Sequence, residues 1–158
     1  MSTTHDDVDR SALPADEVAD GVAQLDTTLA ALRRTPLWQL PESQVLDLRR
    51  ALEVTAARLA GLTLTVTREI DARGAAVSLG APSTVAWLTG SLHLHPAVAR
   101  REVSLAHALH VSPDGAAPDP AGTRVGGELV RPLPATGAAL AAGQLSLASA
   151  AEVERAVR

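Results

Sequence analysis

A long central stretch of the chain, from Pro41 to Gly74, has apolar residues at alternating spacings of three and four. This repeat is typical of a helix that packs along its length against neighbouring elements. Pro41 suits a first helical turn, and Arg73 followed by Gly74 suits the end of a helix. The pattern therefore predicts one long helix over about residues 41–73. Its predicted apolar seam consists of Val45, Leu48, Leu52, Thr55, Leu59, Leu62 and Val66.

Residues 62–67 within this stretch also fit a second pattern. Leucine or valine alternates there with threonine, and a period of two is typical of a β-strand. No turn signal separates the segment from the helical pattern on either side, which favours the helix. The strand remains the alternative.

A short helix and a longer one are predicted after a loop at residues 75–81. Ser83 is a candidate N-cap for the short helix. Pro96 suits the start of the longer helix, which is expected to end at His110. Short helix, turn and longer helix over about residues 83–110 form a helix-turn-helix-like pair.

The other segments complete an all-α fold class, a helical bundle around the long central helix. An acidic tail, residues 1–14, is expected to be disordered, and residues 15–158 are expected to form a single helical domain. Residues rich in Pro, Gly and Asp predict an irregular loop at 111–131, in which Thr123–Val130 is a candidate hairpin. Further helices are predicted at 15–34, 134–142 and 146–158, the last with Ser146 as N-cap.

Composition excludes several kinds of chemistry. The 158 residues include no cysteine, which rules out disulfides, cysteine-ligated zinc and thiol nucleophiles. The net charge is −4, concentrated in the first 32 residues, so the rest of the chain is mildly basic. No secretory signal or convincing membrane span is visible, and we expect a cytoplasmic protein that does not enter the membrane.

Two arginines are the candidate nucleic-acid-binding residues. The longer helix of the helix-turn-helix-like pair would present Arg100 and Arg101 near its start, followed by Glu102. In a helix-turn-helix, the second helix is the one that contacts DNA. The alternative is that both helices simply belong to the core.

Four histidines are candidate metal ligands: His93, His95, His107 and His110. His107 and His110 would share one helix face, while the other two lie in the preceding turn. A zinc site needs three or four converging ligands, and surface or turn positions explain these residues as well. We therefore predict no metal, no cofactor, no catalytic set and no small-molecule substrate.

Four blocks in a fixed order resemble the bacterial domain of unknown function 222, the thirteen-E-twelve repeat proteins, over roughly residues 22–158. The blocks are Asp71–Gly74, Ser83–Leu88, Pro96–Arg101 and Leu133–Ser146. The chain departs from the family pattern at His93, where the family has its turn glycine, and in the length of the loop at 111–131.

The resemblance implies a function. In that family the helical region typically precedes an HNH endonuclease module, whose site needs an asparagine, and this chain contains none. It therefore implies a non-catalytic N-terminal module of an HNH endonuclease-type protein, with DNA or a nuclease module as partner. The alternative is a protein–protein or self-association module, for which the apolar seam would be the contact surface.

Overall fold

Helices dominate the parts of the chain that the structure, a computed structural model, describes: residues 15–110 and 121–157. Within those residues it has seven α-helices and one small sheet, which confirms the all-α fold class. The chain divides into two compact units, Met1–Val45 and Leu46–Arg158. The predicted disordered tail lies outside the described residues, and the single domain over 15–158 stays a prediction.

The first unit contains α1 (Ala15–Arg33) and a short 3-10 helix, Leu37–Gln39. Acidic residues in the first turn of α1 and Arg33 in its last turn both favour the helix dipole. The apolar stripe of α1 is largely exposed, as Val18 and Val22 show at 55% and 64%.

The long helix α2 is Glu42–Ala72, close to the predicted bounds. Residues 62–67 are helical, as favoured, so the strand alternative is wrong. The threonines that suggested a strand are accommodated within the helix instead. The hydroxyls of Thr63 and Thr65 donate to the carbonyl oxygens of Leu59 and Gly61, four residues back, at 3.0 and 3.1 Å.

The buried face of α2 differs from the predicted seam. Ala57, Leu64 and Thr67 are its buried residues. Val66 lies nine residues from Ala57, which is the opposite side of a helix at about 100° per residue. The expectation that the seam packs against neighbours is therefore wrong. Its exposed members are Val45 at 36%, Leu52 at 41%, Leu59 at 43%, Leu62 at 60% and Val66 at 51%.

Small side chains explain this choice of face. A Cβ placed on Gly61 would lie 3.4 Å from the backbone of Ala141, so a helix backbone reaches α2 closely there. The sequence repeat of leucines marks the wrong side because alanine and glycine carry the close packing.

The segments after α2 follow the predicted order. The loop expected at 75–81 contains a one-turn helix, α3 (Ala75–Ser78), which is a correction. The predicted short helix and longer helix are present as α4 (Thr84–Ser91) and α5 (Pro96–Ala108), and their likeness to a helix-turn-helix stays a prediction. The last two helices are α6 (Pro134–Ala142) and α7 (Leu147–Ala156).

A two-stranded hairpin interrupts the predicted irregular loop, as the candidate pairing suggested. Strands β1 (Thr123–Val125) and β2 (Glu128–Val130) are antiparallel, with Val125 opposite Glu128. Gly126 and Gly127 form the two-residue turn with φ of 56° and 90°. A type I′ turn, one of the two common two-residue hairpin turns, needs positive φ at both positions, which glycine adopts without strain.

The core is arranged around α5. Leu105, Ala106, Ala108 and Leu109 belong to the larger cluster of buried residues, which also takes in α2, α6, α7 and β2. Ala99 and Val103 belong to a second cluster with Leu88 of α4. None of the described helices has both the length and the apolar character needed to cross a bilayer.

The end of α5 is held very close to α6. The Leu133 N–H donates to the Ala108 carbonyl oxygen at 2.6 Å. A Cβ built on Gly137 of α6 would lie only 2.0 Å from the carbonyl oxygen of Leu109. Only glycine fits at this position without moving the backbone of one helix.

Gly137→Ala should therefore lower the free energy of unfolding by about 1–3 kcal/mol, the usual cost of overpacking. The matched control is Gly90→Ala in α4, where a new Cβ meets nothing within 4 Å. This control should be neutral or stabilise by up to about 1 kcal/mol, because alanine favours helix. Urea unfolding of the three proteins measures both effects. Equal stability of Gly137→Ala and the wild type would contradict the close approach.

Candidate nucleic-acid interface

Local signals at the helix ends fix the turn before α5. The Ser83 hydroxyl accepts a hydrogen bond from the Ala86 N–H at 3.1 Å and so caps α4, as predicted. The turn contains His93 in the left-handed region, with φ of 56°. His95 is the N-cap of α5, and its Nδ1 accepts from the Ala97 N–H at 3.2 Å. His93, which has a positive φ, thus occupies the turn position where glycine is usual.

Asp71 of α2 joins both helices of the pair to the long helix. One carboxylate oxygen accepts from the Thr84 hydroxyl at 2.5 Å, and the other lies 2.8 Å from Nε2 of His107. The side chain of His107 is only 9% exposed, and that of Asp71 is 32% exposed. A single carboxylate therefore fixes the start of α4 and the last turns of α5 against α2.

The environment of Asp71 favours its charged form. Partial burial raises the pKa of this carboxyl, but hydrogen bonds from Thr84 and His107 lower it, as do the charges of His107 and Arg68. The lowering effects together exceed the effect of burial, so the pKa of Asp71 lies below its ordinary value of 3.8. The carboxylate is therefore ionised throughout the neutral range.

A second polar contact joins α5 to α2. The half-buried Glu102 accepts a hydrogen bond from the Thr67 hydroxyl at 2.8 Å. Thr67 is buried, so this bond satisfies a hydroxyl that water cannot reach. Glu102 is therefore directed towards α2, although its sequence neighbours are two arginines.

Arg100 and Arg101 are both exposed on the first turns of α5. In the part of the chain that the structure describes, neither forms an ion pair. Glu102 bonds Thr67 and Glu69 bonds Arg73 instead. The two guanidinium groups are thus available for an external anion. Arginine suits phosphate oxygens, which its planar group can bind with two parallel hydrogen bonds.

The four histidines are placed differently from one another. His93 and His95 are exposed in the turn, whereas His107 is engaged by Asp71 and His110 is half-buried. Among residues 15–110 and 121–157, no three histidine, aspartate or glutamate side chains converge as metal ligands would. The structure instead brings together Asp71, Thr84 and His107, a cluster that the sequence pattern does not predict.

A signal for this cluster was present in the sequence. Asp71 lies seven residues after Leu64, on the buried face of α2, and His107 lies four residues after Val103, a buried position of α5. Polar residues on a buried face usually have a polar partner. The correct buried face had to be known first, and the leucine seam pointed to the opposite one.

Comparison with known proteins agrees with the resemblance found in the sequence. A family model described as "Domain of unknown function (DUF222)" matches residues 46–158. The match covers most of the chain and starts at the same residue as the second compact unit. Residues 22–45, which the resemblance included, lie before it. Comparison with curated proteins and with solved structures finds no match.

Asp71→Asn should lower the free energy of unfolding by about 1–3 kcal/mol near pH 7, the usual cost of disrupting a partly buried hydrogen-bonded group. Because the folded-state pKa is lowered, this stabilisation is complete above the ordinary value of 3.8 and is lost as the pH falls through the folded value. The difference in the free energy of unfolding between variant and wild type, called the gap below, should therefore narrow below about pH 4.

Chemical denaturation at a series of pH values measures that gap. Asp47→Asn is the matched control, because Asp47 is 72% exposed and, among the described residues, its ion pair is with Arg50 of its own helix. Its effect should stay within about 0.5 kcal/mol at every pH. A gap for Asp71→Asn that is constant from pH 7 to pH 3 would contradict the assigned role of the carboxylate.

Proposed function

The chain belongs to the DUF222 family, and on that premise we propose that it is a non-catalytic helical module of an HNH endonuclease-type protein that contacts DNA through α5. The resemblance, which implies an HNH module after the helical region, supports the first part of the proposal. The observation that carries the second part is the exposure of Arg100 and Arg101, unpaired among the described residues, on the first turns of α5.

The packing of α5 supports the choice of this surface. Its later turns are enclosed, with Val103, Ser104, Leu105 and Ala106 all buried. Only the first turns face outward with positive charge, and a helix N-terminus adds a favourable field for phosphate. The arrangement suits contact with the phosphate backbone, which positions a protein on DNA without reading sequence.

Charge reversal of both arginines tests the proposal. Arg100→Glu with Arg101→Glu should weaken binding to duplex DNA and reduce the slope of log K against log salt by up to about 1.8, at about 0.9 per phosphate contact. Fluorescence anisotropy between 50 and 200 mM salt measures the slope. The matched control is Arg49→Glu with Arg50→Glu, which makes the same charge change on exposed arginines of α2.

The control pair should lower affinity much less and leave the slope nearly unchanged. A wild-type chain that does not bind DNA at 50 mM salt would refute the proposal. Equal losses from the two double variants would show a general charge effect and would refute the assignment to α5.

A second candidate function is association with protein, either another copy of the chain or a nuclease module. The observation that favours it is the exposed apolar face of α2 opposite its buried face, which we call the outer face: Leu52, Thr55, Leu59, Leu62 and Val66. The Thr55 hydroxyl donates to the Ala51 carbonyl at 2.9 Å, so this side chain presents its methyl group. The charged groups nearby are engaged: Glu53 pairs with Arg49, and Arg58 donates to Ala142.

Leu59→Asp with Leu62→Asp tests self-association. If the outer face joins two copies, light scattering at hundreds of micromolar should show a mass above the monomer for the wild type and the monomer mass for the variant. Leu92→Asp, at a residue 53% exposed in the turn after α4, is the single-site control and should behave as the wild type. Only monomer in the wild-type sample would exclude self-association and leave the DNA proposal untouched.

A further inference from the structure

The two arginines of α5 line a recess together with a third arginine, Arg155 of α7. The recess has a volume of about 330 Å³. Its other lining residues are Ala97, Glu128 and Glu154. Arg155 is 54 residues beyond Arg101 in the chain, so no spacing in the sequence connects it with the predicted site.

Packing between α5 and α7 fixes the position of Arg155. Ala150 and Ala151 of α7 are buried in the core. The Ser104 hydroxyl of α5 lies 3.5 Å from a carboxylate oxygen of Glu154, which is itself only 4% exposed. Arg155 is the next residue, so α7 is held with this side chain at the recess.

The existing partner of Arg155 does not block it. Its guanidinium group donates to Glu152, three residues earlier on the same helix, at 2.5 Å. Both side chains are more than half exposed, at 57% and 64%. Exposed ion pairs at this spacing contribute little to stability, so an external anion can replace the carboxylate.

We propose that this recess binds a phosphoryl group, the phosphodiester of a nucleic-acid backbone, and that Arg155 is a third contact beside Arg100 and Arg101. The inference rests on the proposed DNA contact and extends it from one helix to two. The recess is lined by three guanidinium groups and by the carboxylates of Glu128 and Glu154, and Glu152 pairs with Arg155 beside it, so the group is electrically balanced until a phosphate displaces Glu152.

Three variants of the full chain test the third contact. Arg155→Gln should reduce the salt slope of DNA binding by about 0.9, the value for one phosphate contact. Arg155→Lys keeps the charge and should retain most of that slope. The matched control is Arg50→Gln, because Arg50 is also an exposed arginine in an ion pair at a spacing of three. The midpoint of thermal unfolding shows whether Arg155→Gln has altered the fold.

The outcomes separate this inference from the proposed function. The third contact is supported if Arg155→Gln lowers the salt slope and leaves the unfolding midpoint unchanged, while Arg155→Lys and Arg50→Gln retain the slope. If the double variant of Arg100 and Arg101 lowers the slope but Arg155→Gln behaves as Arg50→Gln, the inference is refuted and the DNA contact of α5 stands. If the wild type does not bind DNA at 50 mM salt, both are refuted.

A small phosphate compound is the other source of the same chemistry. Pyrophosphate is the probe, and a ligand that binds only the folded chain raises its unfolding midpoint. Suppose that the wild type does not bind DNA, and that pyrophosphate raises the unfolding midpoint of the wild type but not that of Arg155→Gln. Such a result would assign the recess to small phosphates. That result would overturn the nucleic-acid assignment.

Discussion

The orientation of α5 about its own axis is the constraint on which the rest of the structure depends. Apolar packing encloses the helix, but leucine and alanine contacts alone would tolerate small rotations. Three polar side chains of α5, Glu102, Ser104 and His107, each meet a polar group of another helix, twice on α2 and once on α7. Hydrogen bonds are directional, so these contacts fix which side of α5 faces outward.

Much of this fold could be predicted from short-range signals. Ser83, Pro96 and Ser146 mark helix starts because capping and N1 geometry are local chemistry. Gly126 and Gly127 mark the hairpin turn for a similar reason. The buried face of α2 could not be predicted, because it depends on which helix approaches and how closely. Gly61 and Ala57 allow that approach, and neither stands out in a count of hydrophobic residues.

The candidate site was predictable in part. Arg100 and Arg101 stand at the start of a helix whose outline is visible in the sequence, and the structure exposes both. Arg155 was not predictable, because its position depends on the packing of α7 against α5. His93 shows a related limit, because the sequence reveals the left-handed turn only as a histidine in place of the family's turn glycine. The cost of a non-glycine residue there, roughly 1–2 kcal/mol, has to be offset by the helices on either side.

The two opposite sides of α2 have different roles in the chain. Side chains such as Leu64 on the inner side hold the second unit together, while Leu59 and Val66 on the outer side contribute little to that core. Substitutions about a helix diameter apart, without shared partners, usually act independently. The outer side can therefore change its chemistry over evolutionary time without loss of folding, and relatives can acquire different neighbours on the same scaffold.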